Sequence, residues 1–245
     1  MLTTLPGGYR FRPRLLTTLA AAAGIALTLA AAGWQLGRAH EKEAAGARLA
    51  ELAKGPPVTL SAAEVQAGDV VGRRVTARGQ FVPRYAVFLD NRVHNGVPGY
   101  HVVMPLAIGG GQRHVLVDRG WIAGTQDRSR LPQVRTPEGT VEVTGLAVIP
   151  GQRFFELTKE VVEGNVWQNL TLERYRKAVP IALQPILIQQ ESALDDALVR
   201  DWAPPDLGVA MHYGYAFQWL ALAVTILVFY LVTHVRRAAP EKKSR

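Results

Sequence analysis

Two stretches of this chain carry no formal charge, Leu15 to Gly37 and Leu207 to Val235, and they restrict its fold more than any other feature. Each exceeds the roughly 20 apolar residues that cross about 30 Å of hydrocarbon. Each is bounded by arginine on its terminal side, Arg14 before the first and Arg236 after the second. The chain is therefore expected to cross a membrane, fold a long middle segment on the far side and return.

The net charge of +8 would otherwise suggest a nucleic-acid partner. Its distribution removes that reading. Residues 1–14 hold +3 and the tail from Arg236 holds +4, leaving +1 for everything between. Basic tails beside apolar spans orient a membrane protein with those tails in the cytoplasm. Partners are thus expected in lipid and protein, not nucleic acid. A cleavable signal peptide is the competing reading of the first stretch, with Leu29-Ala30-Ala31-Ala32 as its cleavage site. The apolar run is longer than the usual signal core, which favours a retained span.

The expected fold is an α+β membrane protein in which two antiparallel transmembrane helices tether one β-rich α+β periplasmic domain. It divides into a basic tail (1–14), a first span (15–37), the outer domain (38–211), a second span (212–235) and a basic tail (236–245). Arg38 to Lys54 reads as a helical extension that Gly55-Pro56-Pro57 stops. From Arg73 to Val82 polar residues alternate with Val75, Ala77, Gly79 and Phe81, the period of a half-buried strand. Further strands are expected at Ala86–Asp90, His101–Ile108, Arg113–Ile122, Thr140–Val148, Val166–Leu170 and Ile186–Gln190, with turns at Asn95-Gly96, Pro98-Gly99 and Gly109-Gly110-Gly111. Short helices are expected at Ala62–Gln66, Thr171–Lys177 and Ser192–Arg200.

Catalytic chemistry finds little support. The absence of cysteine excludes disulfide scaffolds, thiolate metal sites and cysteine nucleophiles. The Gly109–Gly111 run lacks the Lys-Ser/Thr of a phosphate loop, and none of the four serines lies in a nucleophile elbow. His114 and Asp118, four apart on a strand, share a face, but no nucleophile is identifiable beside them, and a polar cross-strand pair on the wet face is the better reading than a general base. Asp118-Arg119-Gly120-Trp121 and Asp90-Asn91-Arg92 read as strand-end turns with ion pairs.

The outer membrane surface is more informative. Twenty-four residues separate Arg14 from Arg38 and His212 from Arg236, about 36 Å of helix, so Arg38 and His212 are expected at one outer level. Trp34 lies about one turn below Arg38, and Tyr215 and Trp219 follow His212 on one helical face. An aromatic belt with a snorkelling arginine is one reading. An imidazole at that level is not a usual anchor, and a haem pocket is the other reading.

Four blocks carry a resemblance. Trp34-Gln35-Leu36-Gly37-Arg38 with Lys42, then Pro98 to Leu106, then Val115 to Ile122, and finally His212 to Trp219 resemble the landmarks of the surfeit-locus family of cytochrome c oxidase assembly factors, in the family's order. The resemblance implies a non-enzymatic inner-membrane protein that binds haem a and helps deliver it to the largest oxidase subunit, alongside haem a synthesis or assembly proteins. It matches the family's haem-associated histidine to His212, its Gly-Tyr-His segment to Gly99, Tyr100 and His101, and its Arg-Gly-Trp segment to Arg119, Gly120 and Trp121. Asp118 departs from the Asn expected in many relatives.

On that reading His212 ligates iron, Arg38 neutralises a propionate, and Trp34, Tyr215 and Trp219 line the macrocycle. His40 and His101 are candidates for a second ligand. A cofactor-free scaffold for an oxidase subunit is the alternative, and a tethered periplasmic enzyme has no motif behind it. With 22 Arg against 6 Lys and only a short basic leader, the expected location is a bacterial inner membrane with both termini cytoplasmic. Direct copper carriage is disfavoured by the lack of cysteine and the presence of only three methionines.

Overall fold

The structure is a computed structural model and describes residues 4–5, 9–125, 130–151, 162–203 and 206–237. Its elements in chain order are β1 (Thr4–Leu5), β2 (Tyr9–Phe11), α1 (Leu15–Lys54), β3 (Val58–Thr59), α2 (Ala67–Val70), β4 (Arg74–Phe81), β5 (Val87–His94), β6 (Val97–Ile108), β7 (Arg113–Ala123), β8 (Val141–Val148), β9 (Val162–Glu163), β10 (Val166–Trp167), α3 (Leu172–Ala178), β11 (Leu183–Gln190), α4 (Val209–His234) and β12 (Val235–Arg237). They form two compact units, Met1–Ala47 with Pro205–Arg245, and Arg48–Pro204.

The first unit is a helical hairpin. Helices α1 and α4 are each long and apolar enough to cross a membrane. Their contacts run antiparallel: Gln35 meets His212, Gly24 faces Ile226, Thr18 meets Tyr230 and Thr17 meets His234. Beyond the helix ends, β12 pairs with β2, Val235 opposite Phe11, and β2 with β1. A main-chain bond from Arg12 N to His234 O (2.9 Å) continues that ladder.

The second unit is a β-barrel. Strand β4 pairs with β8, β8 with β11, β11 with β7, β7 with β6, and β6 back to β4, which closes a five-stranded ring. All these pairings are antiparallel except β11 with β7. Closure removes the unpaired edges that an open sheet would expose. Gly79 sits at the seam, opposite both Val141 and Ile108. A side chain there would put Cβ 2.0 Å from Ala107 O, so the two strands meet only because this residue has none. The interior is apolar, with Val75, Ala77, Met104, Leu106, Ile108, Val117, Val143, Ile186 and Ile188 at its centre. A second apolar layer joins the barrel wall to α3, where the fully buried Tyr175 donates its hydroxyl to Tyr85 O at 2.6 Å.

One charge cluster is buried with this core. The side chains of Arg119 and Asp196 are fully inaccessible and lie 2.9 Å apart. Arg119 also donates to Thr136 Oγ1 (2.8 Å) and to Arg135 O (2.9 Å), with its guanidinium 4.6 Å over the Phe81 ring. Asp196 accepts from Arg200 as well. Next to Arg119, Gly120 takes φ +134°, and a Cβ would stand 2.6 Å from Val199 O. That close approach lets Trp121 and Val199 exchange main-chain bonds of 2.8 and 2.9 Å.

Several expectations are corrected. Residues 62–66 are not helical, because Gln184 reaches across from β11 and takes their backbone groups: its amide donates to Ser61 O and Ala63 O and its oxygen accepts from Val65 N. Ser192 to Arg200 is not a helix either, since Asp196 is drawn into the arginine cluster and Val199 bridges to Trp121. Pro98-Gly99 is not a turn. Both residues belong to β6, and Gly99 pairs with Arg92 and with Ala123. Asp118 to Trp121 lies inside β7 rather than at its end, and Asp90 to Arg92 lies inside β5 at a bulge where Asn91 takes φ 58°. Asp118 is bonded to His101, not oriented toward a base at His114.

Two predictions follow from this packing. Asp196→Ala leaves two arginines without their shared carboxylate and should destabilise the barrel by about 3–5 kcal/mol, read as a lower urea midpoint of the full chain in detergent. The His114 ring is held below its ordinary value of 6.5, chiefly by burial, with the Arg84 charge adding to it. The unfolded chain then binds a proton at that position before the folded one does, so stability is full above about pH 6.5 and falls as pH drops below it. Unfolding midpoints across that range should slope downward toward acid, and His114→Gln should flatten the slope.

Candidate functional site

Small residues bring the two helices of the hairpin together. On α1 the buried side chains are Thr28, Ala32, Gln35 and Ala39, spaced four, three and four apart, and on α4 Ala216 and Ala223 face them. Small residues at such a face let two helices approach closely, the way apolar helices associate in lipid. Thr28 returns its hydroxyl to Gly24 O and Ile25 O within its own helix. Gln35 sits on the same buried face.

There its Oε1 lies 2.7 Å from His212 Nδ1. Where the carboxamide oxygen faces the ring it can only accept, which makes Nδ1 the donor and leaves the lone pair of a neutral imidazole on Nε2. Among the described residues nothing else bonds to that ring. Flanking contacts fix the first turn of α4: Lys42 Nζ donates to Leu207 O at 2.8 Å, and Tyr213 donates its hydroxyl to Glu43 at 2.9 Å. His40 packs edge-on against Tyr213 with centroids 6.5 Å apart.

The other candidates on the two helices do not bond to this pair. Arg38 is ion-paired with Glu41 one turn along its own helix, both partners exposed. Trp34 is 62% exposed, Tyr215 44% and Trp219 36%, so their rings face outward. Trp34 and Arg38 lie four apart on α1, as do Tyr215 and Trp219 on α4. Each pair is turned from its contact face in the same rotational sense. In antiparallel helices equal senses fall on the same side, so all four share one flank of the hairpin, with His212 at its upper end.

His101 belongs to the barrel unit. Its Nδ1 is bonded to Asp118 Oδ2 at 2.9 Å and its ring lies 5.4 Å from Trp202. A nearby cleft lined by Asp90, Pro98, Gly99, Tyr100, Gly124 and Thr125 measures about 60 Å³, far too small for a macrocycle. Among the described residues no three His, Asp or Glu side chains converge as a metal cage. Gln35 is the residue that sequence reasoning missed. An amide inside an otherwise charge-free span was the signal available, since polar groups in hydrocarbon mark sites.

Comparison with known proteins covers both units. The model of the SURF1 family matches residues 22–224. A SURF1-like protein of Rickettsia conorii is 27% identical over 214 residues, covering 84% of this chain and 86% of that protein. Its counterpart in Rickettsia felis is 26% identical over 205 residues, covering 81% and 88%. An uncharacterized SURF1-like protein of Mycobacterium tuberculosis is 36% identical over 118 residues, 46% of this chain and 43% of that one.

Because the chain has no cysteine, helix contacts can be tested without background. A Gln35→Cys/His212→Cys variant should be bridged within one chain by a short bifunctional maleimide, detected by mass. Trp34→Cys/His212→Cys should be bridged far less, and equal yields from the two would contradict the contact face described above.

Proposed function

This chain belongs to the SURF1 family of oxidase assembly factors, and on that premise we propose that it carries haem a at the outer end of its helical hairpin and assists its insertion into the largest subunit of a haem–copper oxidase. The observation that carries this reading is the Gln35–His212 contact of 2.7 Å. It supports an imidazole that offers Nε2, the nitrogen an axial iron ligand needs.

The donor set fits an amphiphilic porphyrin. His212 would supply the iron ligand. The Arg38–Glu41 pair is exposed and hence weak, so a propionate could replace Glu41 at small cost. Trp34, Tyr215 and Trp219 offer apolar rings on the same flank, where the isoprenoid tail would lie against lipid-facing side chains. When bound, haem a supplies the redox centre that the oxidase needs, and this chain's part is to hold, orient and release it. One strong protein ligand suits a cargo that must leave. His101 lies in the other unit, already bonded to Asp118, and this reading does not require it.

The proposed location is a bacterial inner membrane. Arginines close both spans on their terminal sides, which supports cytoplasmic termini and an outer barrel.

Purification from cells that make haem a should yield a protein with a haem a visible spectrum, and His212→Ala should lose most of it. Full haem occupancy in that variant would refute the role of His212. A haem-free protein that still copurifies the oxidase subunit would favour a scaffold instead.

A further inference from the structure

We propose that Gln35 is a positioning residue for His212: its carboxamide oxygen holds the imidazole in the Nδ1–H form and so presents Nε2 outward as the lone pair that meets the cargo. The inference rests on the haem reading above and adds a residue to it.

A neutral imidazole has one proton and two places for it, and in water the Nε2–H form predominates. That form has no lone pair on the outer nitrogen and cannot bind a metal there. An acceptor on Nδ1 reverses the preference before the metal arrives. Gln35 Oε1, 2.7 Å from Nδ1, does so because an acceptor at that distance is satisfied only by a proton on Nδ1.

The surroundings make the choice durable. Gln35 is 9% exposed, with Ala32 and Ala39 beside it on the buried face of α1 and Ala216 buried one turn below His212 on α4. The carboxamide sits in an apolar interface, where giving up its partner is costly. Lys42 on Leu207 O and Tyr213 on Glu43 fix the turn that carries His212, so the ring cannot slide away from its acceptor.

The chemical class of the partner matters too. Metal-bound histidines commonly donate the other ring N–H to a carboxylate or carbonyl, which raises their basicity. A carboxylate would do this strongly, a carboxamide less so. The neutral amide therefore selects the correct form without making the ligand so basic that release is slow.

The test uses the full chain in detergent with ¹⁵N-labelled histidine, the His212 signals being assigned by their loss in His212→Ala. Without haem, the wild-type ring should show the Nδ1–H pattern, and Gln35→Leu should shift it to Nε2–H. With haem a, Gln35→Leu should lose about tenfold or more in affinity. Gln35→Glu, which keeps an acceptor and controls for folding, should retain haem at a more negative reduction potential. An Nε2–H ring in the wild type, or a Gln35→Leu protein with unchanged ring pattern and affinity, overturns the proposal. Haem retained by His212→Ala overturns the carrier reading instead, and the metal-free ring pattern separates the two failures.

Discussion

Hydrocarbon offers no water to a polar side chain, so every such group in a membrane hairpin must find its partner within the protein. In this hairpin the threonines solve the problem locally or at the end farther from Gln35, where Thr17 and Thr18 meet His234 and Tyr230. Gln35 and His212 solve it for each other. Their bond joins the helices at the opposite end and, on the proposal above, decides which ring nitrogen stays available. One contact thus does structural and chemical work, and the small residues around it exist on this account to bring it within reach.

The barrel unit follows the opposite economy. Its interior is apolar and close-packed, and the buried Arg119–Asp196 cluster ties loop segments to β7. Arg119 on β7 reaches Asp196, Thr136 and the carbonyl of Arg135, so a single guanidinium gathers two loops onto β7. The Arg119-Gly120-Trp121 segment thereby acquires a structural meaning. The arginine binds the loops, the glycine admits the neighbouring backbone, and Trp121 donates its indole N–H to Arg92 O at 2.8 Å.

Features set by local spacing were legible in the sequence. The charge-free runs announced α1 and α4, and the alternation from Arg74 to Phe81 announced β4 with its buried residues correctly sided. Thr171 as a helix start was legible as well, its side chain accepting from Arg174 N. Features made by distant partners were not. Asp196 lies 77 positions from Arg119, and Gln184 lies 119 from Val65. Neither separation leaves a periodic trace, so both segments looked helical until their true partners were in view. At the site, His212 stood out because imidazole is rare at a membrane surface. Gln35 did not, because an amide one place from a tryptophan reads as ordinary until the opposing helix is known.

The separation of 177 residues between Gln35 and His212 also has a temporal side. Ribosomes add about 5–20 residues per second, so the first helix waits roughly ten to thirty-five seconds before its complement is made. For that interval a carboxamide stands in the nascent span with no imidazole to receive. On the membrane topology proposed above, that carboxamide stays without its partner until the last segment of the chain emerges.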